Sequence, residues 1–182
     1  MKRRQFLAGV ASAGAIGGAG LVATGTLPVT SSDESEETES VEPTTLDTVE
    51  APGSDDGEVT IPPENQATFV DFFGTWCPPC VEQMPALGEA EDRIGDEVLF
   101  VSVTTEDVGG SLSEQAVAEW WRENDGDWLV AADVTAELAA KLNVGAYPTA
   151  VALDTAGRIQ WSESGVHPAD EIVAGIETAL DS

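Results

Sequence analysis

The chain has 182 residues, enough for one domain with additional segments, and 42% of them are hydrophobic, which is ordinary for a protein with a packed core. It carries 34 acidic residues against 7 basic ones, a formal net charge of −27. This excess of negative charge repels polyanions, so it argues against nucleic acid as a partner. It favours a protein adapted to molar salt, whose ions screen the repulsion between carboxylates.

Residues 1–30 have the composition of an export signal. The sequence RRQFL at positions 3–7 is followed by an uncharged stretch rich in glycine and alanine. This pattern resembles a twin-arginine export signal, which predicts that the folded part lies outside the cytoplasmic membrane. A retained membrane anchor is the alternative, because twenty-odd residues at about 1.5 Å each could cross an apolar layer of about 30 Å.

The next segment, residues 31–42, has the sequence SSDESEETESVE and is dense in negative charge. It contains too little apolar surface to offset the chain entropy that folding would cost. We therefore expect an acidic flexible linker, followed by a folded domain over residues 43–182.

The folded part is predicted to begin with two short strands within residues 44–62, around turns at Gly53 and Gly57. The run ATFVDFF at 67–73 is apolar and is bounded by polar residues and a glycine. It predicts a buried central strand, and a helix is expected from the cysteines to about Ile94.

Strands and helices are predicted to alternate through the rest of the chain. Residues 97–105 form a second buried strand, and a helix follows with Ser113 as its N-cap. A short strand precedes a short helix capped by Thr135, and a hairpin that turns at Gly157 precedes a last helix with Pro168 near its first turn. This order predicts an α/β sandwich whose closing hairpin makes the central sheet mixed.

Cys77 and Cys80, the two cysteines of the sequence, follow the predicted central strand, with Pro78 and Pro79 between them. This spacing places both sulfurs within one helical turn. The free N–H groups and partial positive charge of a helix N-terminus stabilise a thiolate, so we expect Cys77 to ionise readily. The two prolines fit the first helical positions and stiffen the loop, and Trp76 can shield the pair on one side.

The residues by themselves allow three uses of this cysteine pair. Zinc requires four ligands, and the single histidine, His167, lies about 90 residues away, so no metal is expected. A structural disulfide suits an exported chain, but a loop this small constrains the unfolded chain little. The placement of Trp-Cys-Pro-Pro-Cys between a strand and a helix favours the third use, a redox-active pair.

Two separated motifs, DFFGTWCPPCVEQMPAL at 71–87 and AYPTAVALDTAGRI at 146–159, together resemble the thioredoxin fold. The closer resemblance is to its extracytoplasmic branch, the TlpA/ResA/CcmG-like thiol–disulfide oxidoreductases. The resemblance covers about residues 43–182. It implies a thioredoxin-like three-layer sandwich, in which helices flank a mixed central sheet.

The resemblance also implies roles for individual residues. Cys77 would be the exposed attacking nucleophile and Cys80 the buried resolving cysteine, while Asp71 would relay the proton of the resolving cysteine. Pro148 would be a cis-proline that exposes backbone to the partner chain. From periodicity alone Asp71 could equally face solvent at a strand end, and Pro148 could be a plain proline at a strand start. The branch often has asparagine at the position of Asp71 and glutamate at that of Gln83, so these differences weaken assignment to the cytochrome-maturation subtype.

The function that this resemblance predicts is an exported, monomeric protein-disulfide reductase without a dissociable cofactor, whose substrates are disulfides of extracytoplasmic proteins. A membrane thiol carrier of the CcdA/DsbD type would re-reduce it, and Pro78 and Pro79 would tune its reduction potential. The alternatives are a disulfide oxidase or isomerase of exported proteins and a non-catalytic binding module with a static disulfide. A thiol peroxidase is disfavoured, because the Pro-x-x-x-Thr-x-x-Cys arrangement of peroxiredoxins is missing.

Overall fold

A computed structural model describes residues 39–182 of the chain. The predicted export signal at 1–30 and residues 31–38 of the predicted linker lie outside the described residues. Within the remainder of that linker, the Val41 amide donates a hydrogen bond of 2.8 Å to the Gly157 carbonyl, and Val41 packs partly against the core. Contacts with the domain therefore begin just before residue 43, where the sequence predicts its start. Among the described residues, no helix has both the length and the hydrophobicity that crossing a membrane requires.

The described residues form seven strands and four α-helices, with one short 3-10 helix at Gly95–Glu97. Their bounds in chain order are β1 Thr44–Thr48, β2 Gly57–Ile61, β3 Thr68–Phe73, α1 Pro78–Ile94, β4 Leu99–Thr104, α2 Glu114–Glu123, β5 Leu129–Ala132, α3 Glu137–Lys141, β6 Thr149–Leu153, β7 Ile159–Ser164 and α4 Ala169–Leu180.

The strands form a single mixed sheet in the order β2-β1-β5-β4-β3-β6-β7. The central strands β3, β4 and β5 are parallel, whereas β6 runs antiparallel to β3 and β7 antiparallel to β6. The hairpin β1–β2 extends the other edge of the sheet, where β1 runs antiparallel to β5. The predicted fold class, a mixed sheet flanked by helices, is confirmed.

The core is divided by the sheet because side chains alternate between the two faces of each strand. On β3, Phe69 and Phe73 pack in a cluster that contains the cysteine pair and buried residues of α1, α2 and α4. Val70 and Phe72 point to the opposite face and pack in a second cluster with α3. All six residues of β3 are buried, as expected for a central strand covered on both faces.

The start of α3 differs from the prediction. Thr135 does not cap it; the N-cap is Ala136, which adopts a left-handed conformation with φ of 55° and makes no side-chain capping bond. The buried carboxylate of Asp133 accepts the amides of Glu137 at 2.9 Å and Ala139 at 2.8 Å instead. A carboxylate with two acceptor oxygens satisfies two helix-end amides at once, which the hydroxyl of a threonine cannot do as well. The predicted cap of α2 is correct, since Ser113 accepts the amide of Ala116.

Candidate active site

The cysteine pair lies at the first turn of α1. Cys77 is the N-cap residue, and its Sγ accepts the amide of Cys80 at 3.2 Å. Pro78 and Pro79 occupy the first two helical positions, where a missing N–H group leaves no intrahelical bond unmade. The sulfur of Cys77 therefore lies where the helix offers free amide donors and a partial positive charge, the setting that stabilises a thiolate.

Cys77 and Cys80 form a disulfide, with their Cα atoms 5.3 Å apart. Cys77 is 3% exposed and Cys80 1% exposed. The expectation of an exposed Cys77 is therefore wrong for the oxidised protein. The reason is that the sulfur of Cys77 is bonded to Cys80 and accepts a helix amide, and both cysteines belong to the buried cluster that includes Met84 and Leu87.

Trp76, which directly precedes Cys77, is 67% exposed. Its ring meets that of Tyr147 edge to face, with the centroids 6.0 Å apart. The Tyr147 hydroxyl in turn hydrogen-bonds the Thr105 hydroxyl at 2.5 Å. Trp76 thus presents an aromatic surface beside the cysteine pair rather than filling the core.

The Tyr147–Pro148 peptide bond is cis, and Pro148 directly precedes β6. Because β6 is antiparallel to β3, with Thr149 opposite Phe72, the start of β6 lies at the end of β3. From this end of β3 the chain continues to Cys77. The carbonyl of Pro148 accepts the Gly165 amide at 2.9 Å, which ties this turn to the segment before α4.

Asp71 lies in the middle of β3 and is 1% exposed, so it does not face solvent. Strand alternation places it on the same face as Phe69 and Phe73, which is the face that carries the cysteine pair. Burial raises the pKa of Asp71 to about 7, although a hydrogen bond from the Ser102 hydroxyl acts in the opposite direction. This pKa suits a group that exchanges protons near neutral pH.

The sequence offered no separate signal for the polar groups around Asp71. Ser102 lies opposite Asp71 in the parallel register of β3 and β4, and its Oγ is 3.5 Å from Asp71 Oδ2. The same Oγ accepts the indole N–H of Trp128 at 3.0 Å. Asp71 Oδ1 is buried and has no hydrogen-bond partner within the described part of the chain.

A carboxylate clamp at Glu106, also missed in the sequence, holds the loop before Cys77. Glu106 accepts the Thr75 amide at 2.7 Å and the Thr75 hydroxyl at 2.9 Å, and it accepts the Thr104 hydroxyl at 3.2 Å. The β3–β4 register, which sets Phe73 against Thr104, brings these residues together across 31 positions of sequence. Because the packing of the sheet sets this register, the sequence alone carries no direct signal for the clamp.

Gln83 forms a second clamp, one turn along α1 from Cys80. Its amide donates to the His167 carbonyl at 2.9 Å and accepts the His167 amide at 2.7 Å. Both partners on His167 are backbone groups, so the clamp does not depend on the imidazole. It fixes the start of α4 against the helix that carries the cysteines, and a neutral amide, which both donates and accepts, is suited to this pairing.

No group of three or more histidine, cysteine or acidic side chains within residues 39–182 is arranged to hold a metal ion. The site presents the Cys77–Cys80 disulfide and the buried carboxyl group of Asp71 as its redox and proton-exchanging groups.

The profile of the Redoxin family matches residues 46–180. The chain belongs to the redoxin family. Over 116 residues it is 26% identical to sporulation thiol-disulfide oxidoreductase A of Bacillus subtilis, a match that covers 63% of this chain and 69% of that protein. It is also 26% identical over 96 residues to the thiol-disulfide oxidoreductase ResA of Bacillus cereus, and there the match covers 53% of each chain, about half of that relative's length.

Among solved structures, StoA from Bacillus subtilis superimposes with a TM-score of 0.62 at 24% identity, covering 74% of this chain and 96% of StoA. This agreement concerns the fold, which is that of the thioredoxin-like redoxins. Together with the disulfide at the start of α1, family membership identifies the redoxin chain as a thiol–disulfide oxidoreductase with a Cys77–Cys80 pair.

Proposed function

We propose that this redoxin reduces disulfides of extracytoplasmic proteins, with Cys77 as the attacking and Cys80 as the resolving cysteine. One observation carries the proposal. A cysteine at a helix N-cap is disulfide-bonded to a cysteine one turn into the helix, and a buried carboxyl group whose pKa is near neutrality lies on the same face of the sheet.

The first step is the attack of the Cys77 thiolate on a disulfide of the partner. A bond forms between Cys77 Sγ and one partner sulfur, and the other partner sulfur leaves as a thiolate that takes a proton. The position of Cys77 at the N-cap supports this role, because helix amides stabilise the thiolate before attack. The exposed ring of Trp76 and the turn at Pro148 provide the surface against which the partner chain would lie.

In the second step Cys80 must lose its proton, although it is 1% exposed. We assign Asp71 as the base that takes this proton. The Cys80 thiolate then attacks Cys77 Sγ, the mixed disulfide breaks, and the remaining partner sulfur leaves as a thiol after taking a proton. Two electrons have passed to the partner, and the Cys77–Cys80 disulfide of the structure is the product.

A further dithiol must re-reduce this pair, and a membrane thiol carrier of the CcdA/DsbD type is the proposed donor. The RRQFL sequence supports export through the twin-arginine route, with residues 1–30 as signal or anchor, 31–42 as an acidic linker and 43–182 as the working domain. We propose that the protein is a monomer. We also infer a salt-rich setting, because 34 acidic residues against 7 basic ones favour screening by molar salt.

The deciding measurement is the reduction potential of the Cys77–Cys80 pair in the full protein, equilibrated with thiol/disulfide buffers in multimolar KCl. A value near the thioredoxin level of about −270 mV supports the reductase. A value above about −180 mV would identify an oxidase or isomerase instead. A pair that never titrates would mean a static disulfide in a binding module.

Separate cysteine variants test the assignment of roles. Cys80→Ala is expected to accumulate mixed disulfides with substrate proteins, because the attacking thiolate remains and the resolving one is lost. Cys77→Ala is the matched control and is expected to trap none. The opposite pattern would exchange the two roles.

A further inference from the structure

The carboxyl group of Asp71 has one hydrogen-bonding partner among the described residues, the hydroxyl group of Ser102. Ser102 is fully buried and Trp128 is 4% exposed, so water does not compete freely for these groups. Their contacts form a short chain from the Trp128 indole through Ser102 to Asp71 Oδ2. Its direction follows from the chemistry of the three groups.

An indole N–H can only donate a hydrogen bond, so Ser102 Oγ must accept from Trp128. A serine hydroxyl carries one hydrogen, and with Trp128 as donor that hydrogen remains for another acceptor. The acceptor within reach is Asp71 Oδ2, at the long distance of 3.5 Å. The ionised carboxylate of Asp71 is the better acceptor, so the arrangement favours the form that can take a proton.

We propose that Ser102 and Trp128 are positioning residues for proton transfer. Trp128 fixes the hydroxyl of Ser102, Ser102 directs its hydrogen to Asp71 Oδ2, and Oδ1 is left as the oxygen that receives the Cys80 proton. The inference rests on the proposed role of Asp71 as the base for Cys80. It extends that role to two residues that touch neither the cysteines nor the substrate.

Among the described residues around Asp71, no charged group is found that could influence its carboxyl group in place of the Trp128–Ser102 hydrogen bonds. The buried residues of α1 are apolar, apart from Gln83 and Cys80 itself, and those of α4 are all apolar. Opposite Asp71 on β6 lies Ala150. Burial and the Ser102 hydroxyl are accordingly the two influences on the pKa of Asp71.

The step can be isolated in a single turnover with 4,4′-dithiodipyridine as the disulfide. The reduced full protein attacks it through Cys77 and releases one thiopyridone. Cys80 then attacks Cys77 Sγ, and the bond to the second thiopyridone breaks. The rate of the second release, followed by stopped-flow absorbance in multimolar KCl from pH 5 to 9, reports the Cys80 step.

In the wild-type protein this rate is expected to rise with a midpoint near pH 7, where Asp71 ionises. Ser102→Ala should move the midpoint upward by about one pH unit, because a hydrogen bond to the ionised form is lost. At pH 7 the rate should then fall by about fivefold, with the plateau at high pH retained. Ser102→Thr keeps the hydroxyl and should restore the midpoint.

Trp128→Phe is the second variant. It removes the indole donor, so Ser102 becomes free to turn and accept from protonated Asp71. Its midpoint should also move upward, although Ser102 is unchanged. Tryptophan fluorescence and urea unfolding check that each variant is folded. If one substitution prevents folding, the other variant still tests the proposal.

The Asp71→Asn variant tests the proton relay separately from the positioning by Ser102 and Trp128. It is expected to abolish the midpoint in the dependence of the rate on pH. If it does so while Ser102→Ala and Trp128→Phe keep the wild-type midpoint, the inference is wrong and the proton relay stands. A uniform loss of rate at every pH in both variants would also overturn it, since that indicates a purely structural role. If Asp71→Asn keeps the wild-type midpoint, the relay itself is wrong.

Discussion

Replacing Asp71 by asparagine should stabilise the oxidised protein at neutral and alkaline pH. Asp71 is buried, and burial raises its pKa from the ordinary 3.8 to about 7, with the Ser102 hydrogen bond acting against the rise. Between these two pH values the folded protein holds a proton on Asp71 that the unfolded chain has lost. The free energy of unfolding therefore falls as pH rises through this interval.

The size of the effect follows from the width of that interval. It spans about three pH units, and each unit changes the free energy of unfolding by about 1.36 kcal/mol. Above pH 7 the contribution of Asp71 should thus have lowered the free energy of unfolding by about 4 kcal/mol relative to its value below pH 4. An asparagine side chain cannot ionise, so the variant avoids this loss. The gap, which is the difference in the free energy of unfolding between the two proteins, should widen from pH 4 to 7 and then become constant.

Urea unfolding of the oxidised full protein at constant multimolar KCl, followed by tryptophan fluorescence from pH 4 to 9, measures this gap. The disulfide stays intact, so neither cysteine titrates. Asp47→Asn is the matched control, because it removes a carboxyl group from an exposed position on β1 instead of a buried one. A gap between wild type and Asp71→Asn that stays constant within about 0.5 kcal/mol would refute the buried-carboxyl reasoning.

Three further changes have expected outcomes. Glu106→Gln removes a negative charge from the clamp on Thr75, which should favour the thiolate of Cys77 and raise the reduction potential of the cysteine pair by about 10–30 mV. The control Thr75→Val keeps the charge of Glu106 and should leave the reduction potential unchanged. Ala136→Gly should stabilise the protein by about 1 kcal/mol in urea unfolding, because glycine tolerates the φ of 55° at position 136. The control Ala140→Gly, inside α3, should destabilise the protein by a similar amount, because glycine is a poor helix former. Lowering KCl from multimolar to about 0.1 M should lower the thermal midpoint, because the net charge of −27 is then less screened; an unchanged midpoint would contradict adaptation to salt.

The fold and the cysteine pair were predictable because their signals are local. The buried run at 67–73 and the alternation of elements after it indicated the mixed sheet, and the bounds of β3 and α1 agree with the prediction to within a residue or so. The spacing of Cys77 and Cys80 alone brings the sulfurs within bonding reach on one helical turn. The start of α3 was mispredicted because the capping group, Asp133, lies outside the short window that suggested Thr135.

The surroundings of the pair depended on contacts between distant parts of the chain. The sequence determined that a strand ends near a Cys-Pro-Pro-Cys turn and that an aspartate lies on that strand, because such features follow from spacing and backbone preference. Only the tertiary structure decided that Asp71 is buried and meets Ser102, and that Gln83 binds the backbone of His167 from 84 positions away. The physical reason is that strand register and helix docking are set by the packing of the whole core, and the ionisation of a carboxyl group depends on what that packing places around it.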